Sequence, residues 1–119
     1  MPTDRKDASY LNGIPELLIL RLLAEKSMYG YEIVAAIRSS TNDLLSFGEG
    51  LIYPLLHSLE DDGLLSTRRE MANGRPRVYY RLTGAGKKRL KQTTEDWQRV
   101  TNAVRLVLGG RDVQPSIPR

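Results

Sequence analysis

The chain has no cysteine, so disulfide scaffolds, thiolate metal sites and thiol nucleophiles are all excluded, and a reducing cytoplasm suits it. Histidine occurs once, at His57. A histidine-rich metal site or a serine–histidine catalytic arrangement would therefore rest on one residue. Long apolar runs are missing as well: "LLIL" at 17–20 falls far short of the roughly 20 residues that a membrane-spanning helix needs. The opening "MPTDRKDAS" is polar and carries both charge signs, which is not the pattern of a signal peptide. No cofactor, metal or membrane is called for. The 119 residues leave room for one domain, with a core that is self-sufficient or completed by a partner subunit.

What the chain does have is charge, unevenly placed. Residues 64–91 hold nine basic side chains (Arg68, Arg69, Arg75, Arg77, Arg81, Lys87, Lys88, Arg89, Lys91) against Glu70 alone, a net of +8, while the remainder has nine basic against thirteen acidic residues, a net of −4. A strongly basic segment inside an otherwise acidic chain is the electrostatic footprint of a polyanion partner, with nucleic acid the leading candidate. Within it stands "ANGRPRVYYR" at 72–81. Asn73 and Gly74 are a strong hairpin signal because both tolerate the positive φ of a tight turn. Nothing in turn chemistry asks for the arginines around them.

Hydrophobic spacing sets the order of elements. Residues 1–9 read as a flexible arm and 109–119, with two glycines and two prolines, as a disordered tail. A first helix is predicted over 13–26, where Ile14, Leu17, Leu18 and Leu22 follow the helical period. After a turn at 27–30, Ile33, Ala36 and Ile37 mark a second helix, which the polar cluster "SSTND" ends. Ile52, Leu55, Leu56 and Leu59 fall at i, i+3, i+4 and i+7 of a third helix stopped by Gly63. Pro54 then belongs in its first turn, which puts its start between positions 49 and 51. "LLSTRREMA" and "RVYYRLT" alternate as two antiparallel strands. From the N-cap Thr83 a long helix runs to about Leu108, in which Leu90, Trp97 and Val104 recur every seven residues and Thr93, Val100 and Val107 lie three further on. Such a seam seeks another helix.

The predicted fold is mainly α with a small β-hairpin: a winged helix-turn-helix over 10–83, followed by a long C-terminal dimerisation helix over 84–108. In that architecture the third helix enters the major groove of double-stranded DNA and the hairpin tip reaches the adjacent backbone or minor groove. Arg75 and Arg77 suit the tip, since a guanidinium binds phosphate bidentately and favours narrow minor grooves. The bland alternative is a solvated hairpin. On the third helix Gly50, Tyr53, Pro54 and His57 form a face rich in shape and poor in charge. Tyr53 and His57 can donate to phosphates or base edges, or Tyr53 packs on the hairpin and His57 is a neutral surface residue. Tyr31, with Tyr29, reaches a phosphate or fills a gap beneath the first helix. "GAGKK" at 84–88 is no phosphate loop, because Arg81 stands where a glycine is needed and Lys88 where a Ser or Thr is needed. The trio Glu60, Asp61, Asp62 reads as a solvated helix end rather than a catalytic group, and no constellation supports an enzyme. Trp97 is either a core or dimer contact, or one of two indoles that sandwich a flat ligand across a two-fold axis.

Taken together, "YGYEI" (29–33), "GEGLIYPLLHSLEDDGLL" (48–65) and "GRPRVYYRLTGAGKKRL" (74–90) resemble the PadR family of bacterial transcriptional regulators. The resemblance implies a homodimer joined mainly through the terminal helix, with Leu90, Val100, Val104 and Val107 at the contact, that represses transcription by binding an inverted repeat. Relatives often carry Lys or Arg after the Leu-Leu of the third helix, where this chain has His57 and Ser58. Phosphate binding then falls on Arg75, Arg77 and Arg38. The tryptophan is similar in place to that of the short, multidrug-responsive members, which implies that Trp97 lines a site for a planar hydrophobic small molecule. A winged-helix module that contacts an acidic protein is the alternative function.

Overall fold

A computed structural model describes the backbone of residues 2–109 and the side chains of 13–109. Among the described residues, four helices and three strands follow one another as α1 (Pro2–Glu25), β1 (Met28–Tyr29), α2 (Gly30–Ser40), α3 (Glu49–Asp61), β2 (Leu65–Ala72), β3 (Arg75–Leu82) and α4 (Gly84–Val107). The strands form one antiparallel sheet in the order β1-β3-β2. Three helices, a winged hairpin and a long final helix make a winged helix-turn-helix with a C-terminal extension.

The apolar stripes read from the sequence meet in one core. Ile19, Leu20 and Leu23 of α1, Ile33 and Ile37 of α2, and Ile52, Leu56 and Leu59 of α3 are all buried, closed from below by Met28, Leu64, Leu65 and Tyr80. Burying one such aliphatic side chain contributes about 1.5–3 kcal/mol, so this cluster is the main force that holds the three helices on the sheet. The helix ends are stopped as their residues require. At the end of α2, Asn42 takes a left-handed φ of 54° and Asp43 N–H donates to the Arg38 carbonyl at 2.8 Å. Thr41 wires the following loop: its hydroxyl donates to the Ile37 carbonyl at 2.8 Å and accepts from Leu45 N–H at 3.0 Å. After α3, Gly63 adopts φ 78°, and N–H bonds from Gly63 to the Glu60 carbonyl (2.9 Å) and from Leu64 to the Leu59 carbonyl (3.0 Å) complete a Schellman turn.

That turn is also where α4 is anchored. Thr83 caps α4 by accepting from Gly86 N–H at 3.0 Å, donates its hydroxyl to the Gly63 carbonyl at 2.7 Å, and donates its N–H to the Leu64 carbonyl at 3.1 Å. Gly86 itself is buried, and a Cβ there would lie 2.2 Å from the Leu64 carbonyl oxygen. Further along, Arg89 of α4 pairs with Glu16 of α1 at 2.9 Å.

Three expectations are corrected. Helix α1 begins at Pro2 and so includes the segment read as an arm, because proline is suited to the first helical position and no glycine interrupts before Gly13. The turn at 27–30 contains a strand: Met28 and Tyr29 pair with Tyr80 and Tyr79 of β3, a two-residue pairing too short to leave an alternation pattern. Helix α3 starts at Glu49, inside the expected range, which makes Pro54 its sixth residue and puts it in the second turn rather than the first, where it offers no N–H to the Gly50 carbonyl. The tail read over 109–119 lies outside the described residues except for Gly109, which has φ 107°.

Candidate nucleic-acid interface

The wing is built by its turn. Ala72 pairs with Arg75, so Asn73 (φ 54°) and Gly74 (φ 76°) form a two-residue hairpin loop with positive φ at both positions, as a type I′ turn demands. Alternation then places Arg75, Arg77, Tyr79 and Arg81 on one face of β3 and Val78 and Tyr80 on the other. Tyr80 is buried and Tyr79 half-buried, so the tyrosine pair divides between core and outer face. Burial first, then the Glu60 and Tyr53 charges, push the Tyr80 phenol above its usual range.

Arg75 is exposed beside the tip, whereas Arg77 is not a free finger. Its guanidinium carbon lies 4.3 Å from the centroid of the Tyr29 ring, and Tyr29 in turn meets Tyr79 edge-on, with centroids 5.5 Å apart and planes at 71°. The cation is thus held by an aromatic face. Across the ladder stands Glu70, which is paired to Arg68 of its own strand.

Helix α3 turns Ile52, Leu56 and Leu59 inward and leaves Gly50, Leu51, Tyr53, Pro54, His57 and Ser58 exposed. Tyr53, 37% exposed, lies against Gly30 so closely that a Cβ there would fall 2.2 Å from its Cε1. Glycine at the head of α2 is what admits the ring. Burial, the Glu49 charge and Tyr29 raise the Tyr53 pKa, so its hydroxyl remains a neutral donor. Tyr53 and His57 of α3, Tyr29 and Gly30, and Arg77, Val78 and Tyr80 of β3 line one cleft of about 290 Å³. The sequence-predicted residues Tyr53, His57 and Arg77 are therefore brought together, with Gly50 and Pro54 on the adjoining helix surface. Arg75 extends the site toward the tip.

Two candidates stand elsewhere. Tyr31 is 57% exposed at the start of α2 and borders a separate shallow depression with Lys26 and Glu32. Arg38, at the other end of α2, is paired with Asp43 at 3.3 Å. Sequence reasoning missed Tyr29 as the platform for Arg77 and Gly30 as the seat of Tyr53. The "YGY" triplet carried both signals, but only the β1–β3 pairing gives them partners.

On α4 the seam divides in two. Leu90 packs against the core of its own chain. Val104, Leu106, Val107 and Leu108 are 51–85% exposed, an apolar end that no described residue covers. Between them Trp97, 40% exposed, opens onto a cleft of about 300 Å³ between α1 and α4, which Leu17, Glu16, Gln92 and Asp96 also line. Among the described residues no group of three or more His, Cys, Asp or Glu side chains could hold a metal ion, and no helix is long and apolar enough to cross a membrane.

Known proteins share this fold. The family model described as the transcriptional regulator PadR-like family matches residues 19–92, which span α3, the wing and the start of α4. A transcriptional regulator of Mycobacterium tuberculosis is 45% identical over 62 residues, covering 52% of this chain and 55% of the relative. Among solved structures, a transcriptional regulator from Clostridium thermocellum superposes with a TM-score of 0.75 at 33% identity, covering 80% of this chain and 90% of the other. Bacillus subtilis PadR, solved in complex with operator DNA, aligns with a TM-score of 0.59 at 28% identity over 64% of this chain and 42% of that one.

Proposed function

The chain belongs to the PadR-like family of transcriptional regulators, and from that premise we propose that it is a homodimeric repressor that binds double-stranded DNA at an inverted repeat. The observation that carries the reading is the shared cleft in which Tyr53 and His57 of α3 meet Arg77 of the wing. A helix that presents donors beside a fixed guanidinium, with Arg75 beyond it, suits a major-groove entry flanked by phosphate contacts. Tyr31 and Arg38 lie outside the cleft and are assigned to phosphates at its margin, Arg38 once it exchanges Asp43 for DNA. The exposed apolar end of α4, with Val100, Val104 and Val107, joins the two protomers, so the protein's two-fold axis matches that of the operator. A planar hydrophobic effector bound at the Trp97 cleft, beside that seam, alters how the two wings are held and releases the DNA.

The DNA-binding test is a titration of the upstream region of the protein's own gene at several salt concentrations. Arg75→Ala combined with Arg77→Ala should weaken binding and flatten its salt dependence, because each lost phosphate contact lowers the slope by about 0.9. Unchanged affinity and slope would show the wing assignment to be wrong. For the effector, a flat aromatic cation should quench the fluorescence of Trp97, the one tryptophan. No quenching up to the solubility limit removes the effector and leaves the repressor standing.

A further inference from the structure

We propose that Leu51 and Pro54 determine operator specificity by reading thymine methyl groups in the major groove, an inference that rests on the DNA-binding reading above. The argument starts from what α3 cannot do. Its sequence, "EGLIYPLLHSLED", contains no Arg, Lys, Asn or Gln, so neither the bidentate pairing with guanine nor that with adenine is available. Its carboxylates lie at the two ends: Glu49 on the Tyr53 flank, Asp61 as the last residue, and Glu60 engaged with the Thr67 hydroxyl at 3.1 Å.

The exposed face then sorts itself by packing. Tyr53 is drawn to one flank, against Gly30, and His57 lines the same cleft beside Arg77. That flank faces the wing and supplies single hydrogen bonds. The centre and the opposite flank belong to Pro54, Ser58 and Leu51, since residues three and four apart are neighbours on a helix. Leu51 is 47% exposed on a helix whose other aliphatic side chains are buried or half-buried. Pro54, in the second turn, forgoes a helical hydrogen bond and presents an unbranched apolar ring next to it. An exposed leucine beside an exposed proline makes an apolar ridge on the one surface expected to enter the groove. The apolar feature of a base edge in that groove is the thymine C5-methyl, which distinguishes T·A from the other pairs by contact alone. Arg75 and Arg77 at the side supply the phosphate attraction that an uncharged reading helix lacks.

The test changes the DNA rather than the protein first. A duplex of the protein's own upstream region, footprinted with the wild-type chain, is resynthesised with deoxyuridine in place of thymidine, which deletes only the methyl groups. Replacing every thymidine in the footprint should weaken binding at least tenfold, and single replacements should locate positions at which the loss is about fourfold, the value of one buried methyl-sized group. Leu51→Ala and Pro54→Ala should each erase the thymidine-to-uridine difference at a particular position in each half-site while leaving the salt slope unchanged. A uridine duplex bound as tightly as the thymidine one overturns the proposal, as do methyl penalties that persist in both variants. If the wild-type chain forms no sequence-dependent complex with any such duplex, the DNA-binding reading itself has failed, and the two failures are thereby told apart.

Discussion

A methyl group added at Gly86 should loosen the joint between α4 and the rest of the fold, and the structure sets the size of the effect. Cβ of Gly86→Ala would sit 2.2 Å from the Leu64 carbonyl oxygen and 2.7 Å from Leu82 Cδ1. The leucine side chain can rotate away. The carbonyl cannot, because it accepts from Thr83 N–H at 3.1 Å and follows directly on the Gly63 turn. A carbon–oxygen contact settles at about 3.3 Å or more, so α4 has to move by about 1 Å. Overpacking of this kind costs about 1–3 kcal/mol. Alanine regains up to about 1 kcal/mol as the better helix former, which leaves a net loss of about 0–3 kcal/mol, centred on roughly 1.5 kcal/mol. Gly84→Ala is the matched control: it lies in the same helical turn, meets nothing within 4 Å, and should be neutral or stabilising by up to about 1 kcal/mol. Urea unfolding at one fixed protein concentration measures both, since subunit association would otherwise shift the midpoints. The propensity gain is common to both variants, so they differ by the overpacking alone, about 1–3 kcal/mol, and at a slope of about 2 kcal/mol/M the two midpoints should differ by about 0.5–1.5 M. If Gly86→Ala unfolds at the same urea concentration as Gly84→Ala, the close approach is not there and the reasoning fails. A loosened joint should also weaken DNA binding if the proposed dimer forms through α4, since α4 would then set the spacing of the two wings.

Further expectations follow from the interface. Tyr29→Leu removes the ring beneath Arg77 and should reduce DNA affinity about two- to fivefold per wing, the worth of an exposed cation–π contact of about 0.5–1 kcal/mol, whereas Tyr29→Phe keeps the ring and should bind like wild type. In an Arg77→Ala background Tyr29→Leu should cost nothing more; additive losses would mean that the two residues act separately. Tyr80 gives a pH dependence of definite sign: its phenol pKa is raised in the folded state, so its stabilising contribution is complete below the ordinary tyrosine value near 10 and is lost as pH rises through the folded value. Tyr80→Phe should flatten the alkaline fall in thermal stability above about pH 10, and an unchanged decline would assign it to other groups. Val104→Asp with Val107→Asp puts two carboxylates on the exposed end of α4 and should halve the mass seen by sedimentation. A dimer that persists would place the subunit contact elsewhere.

The sequence by itself was enough for α2, α3, α4 and the wing, because their signals are local, though not for the start of α1. The i, i+3, i+4, i+7 stripe of α3, the Asn73-Gly74 turn, the Gly63 stop and the Thr83 cap each depend on neighbours within a few residues, and all four are in place. The clustering of basic residues around the wing was legible for the same reason. What the tertiary structure decided are the contacts between residues far apart in the chain. Strand β1 exists only because β3 arrives to pair with it, and Arg77 has a ring beneath it only because that pairing puts Tyr29 in reach. Gly30 and Gly86 read as ordinary glycines until Tyr53 and the Leu64 carbonyl are brought against them. The heptad seam on α4 was visible as a period, but which positions meet their own core and which stand open is decided by packing: Leu90 is packed, Val104 and Val107 are not. Periodicity shows that a residue wants burial; only the packing of distant segments settles what buries it.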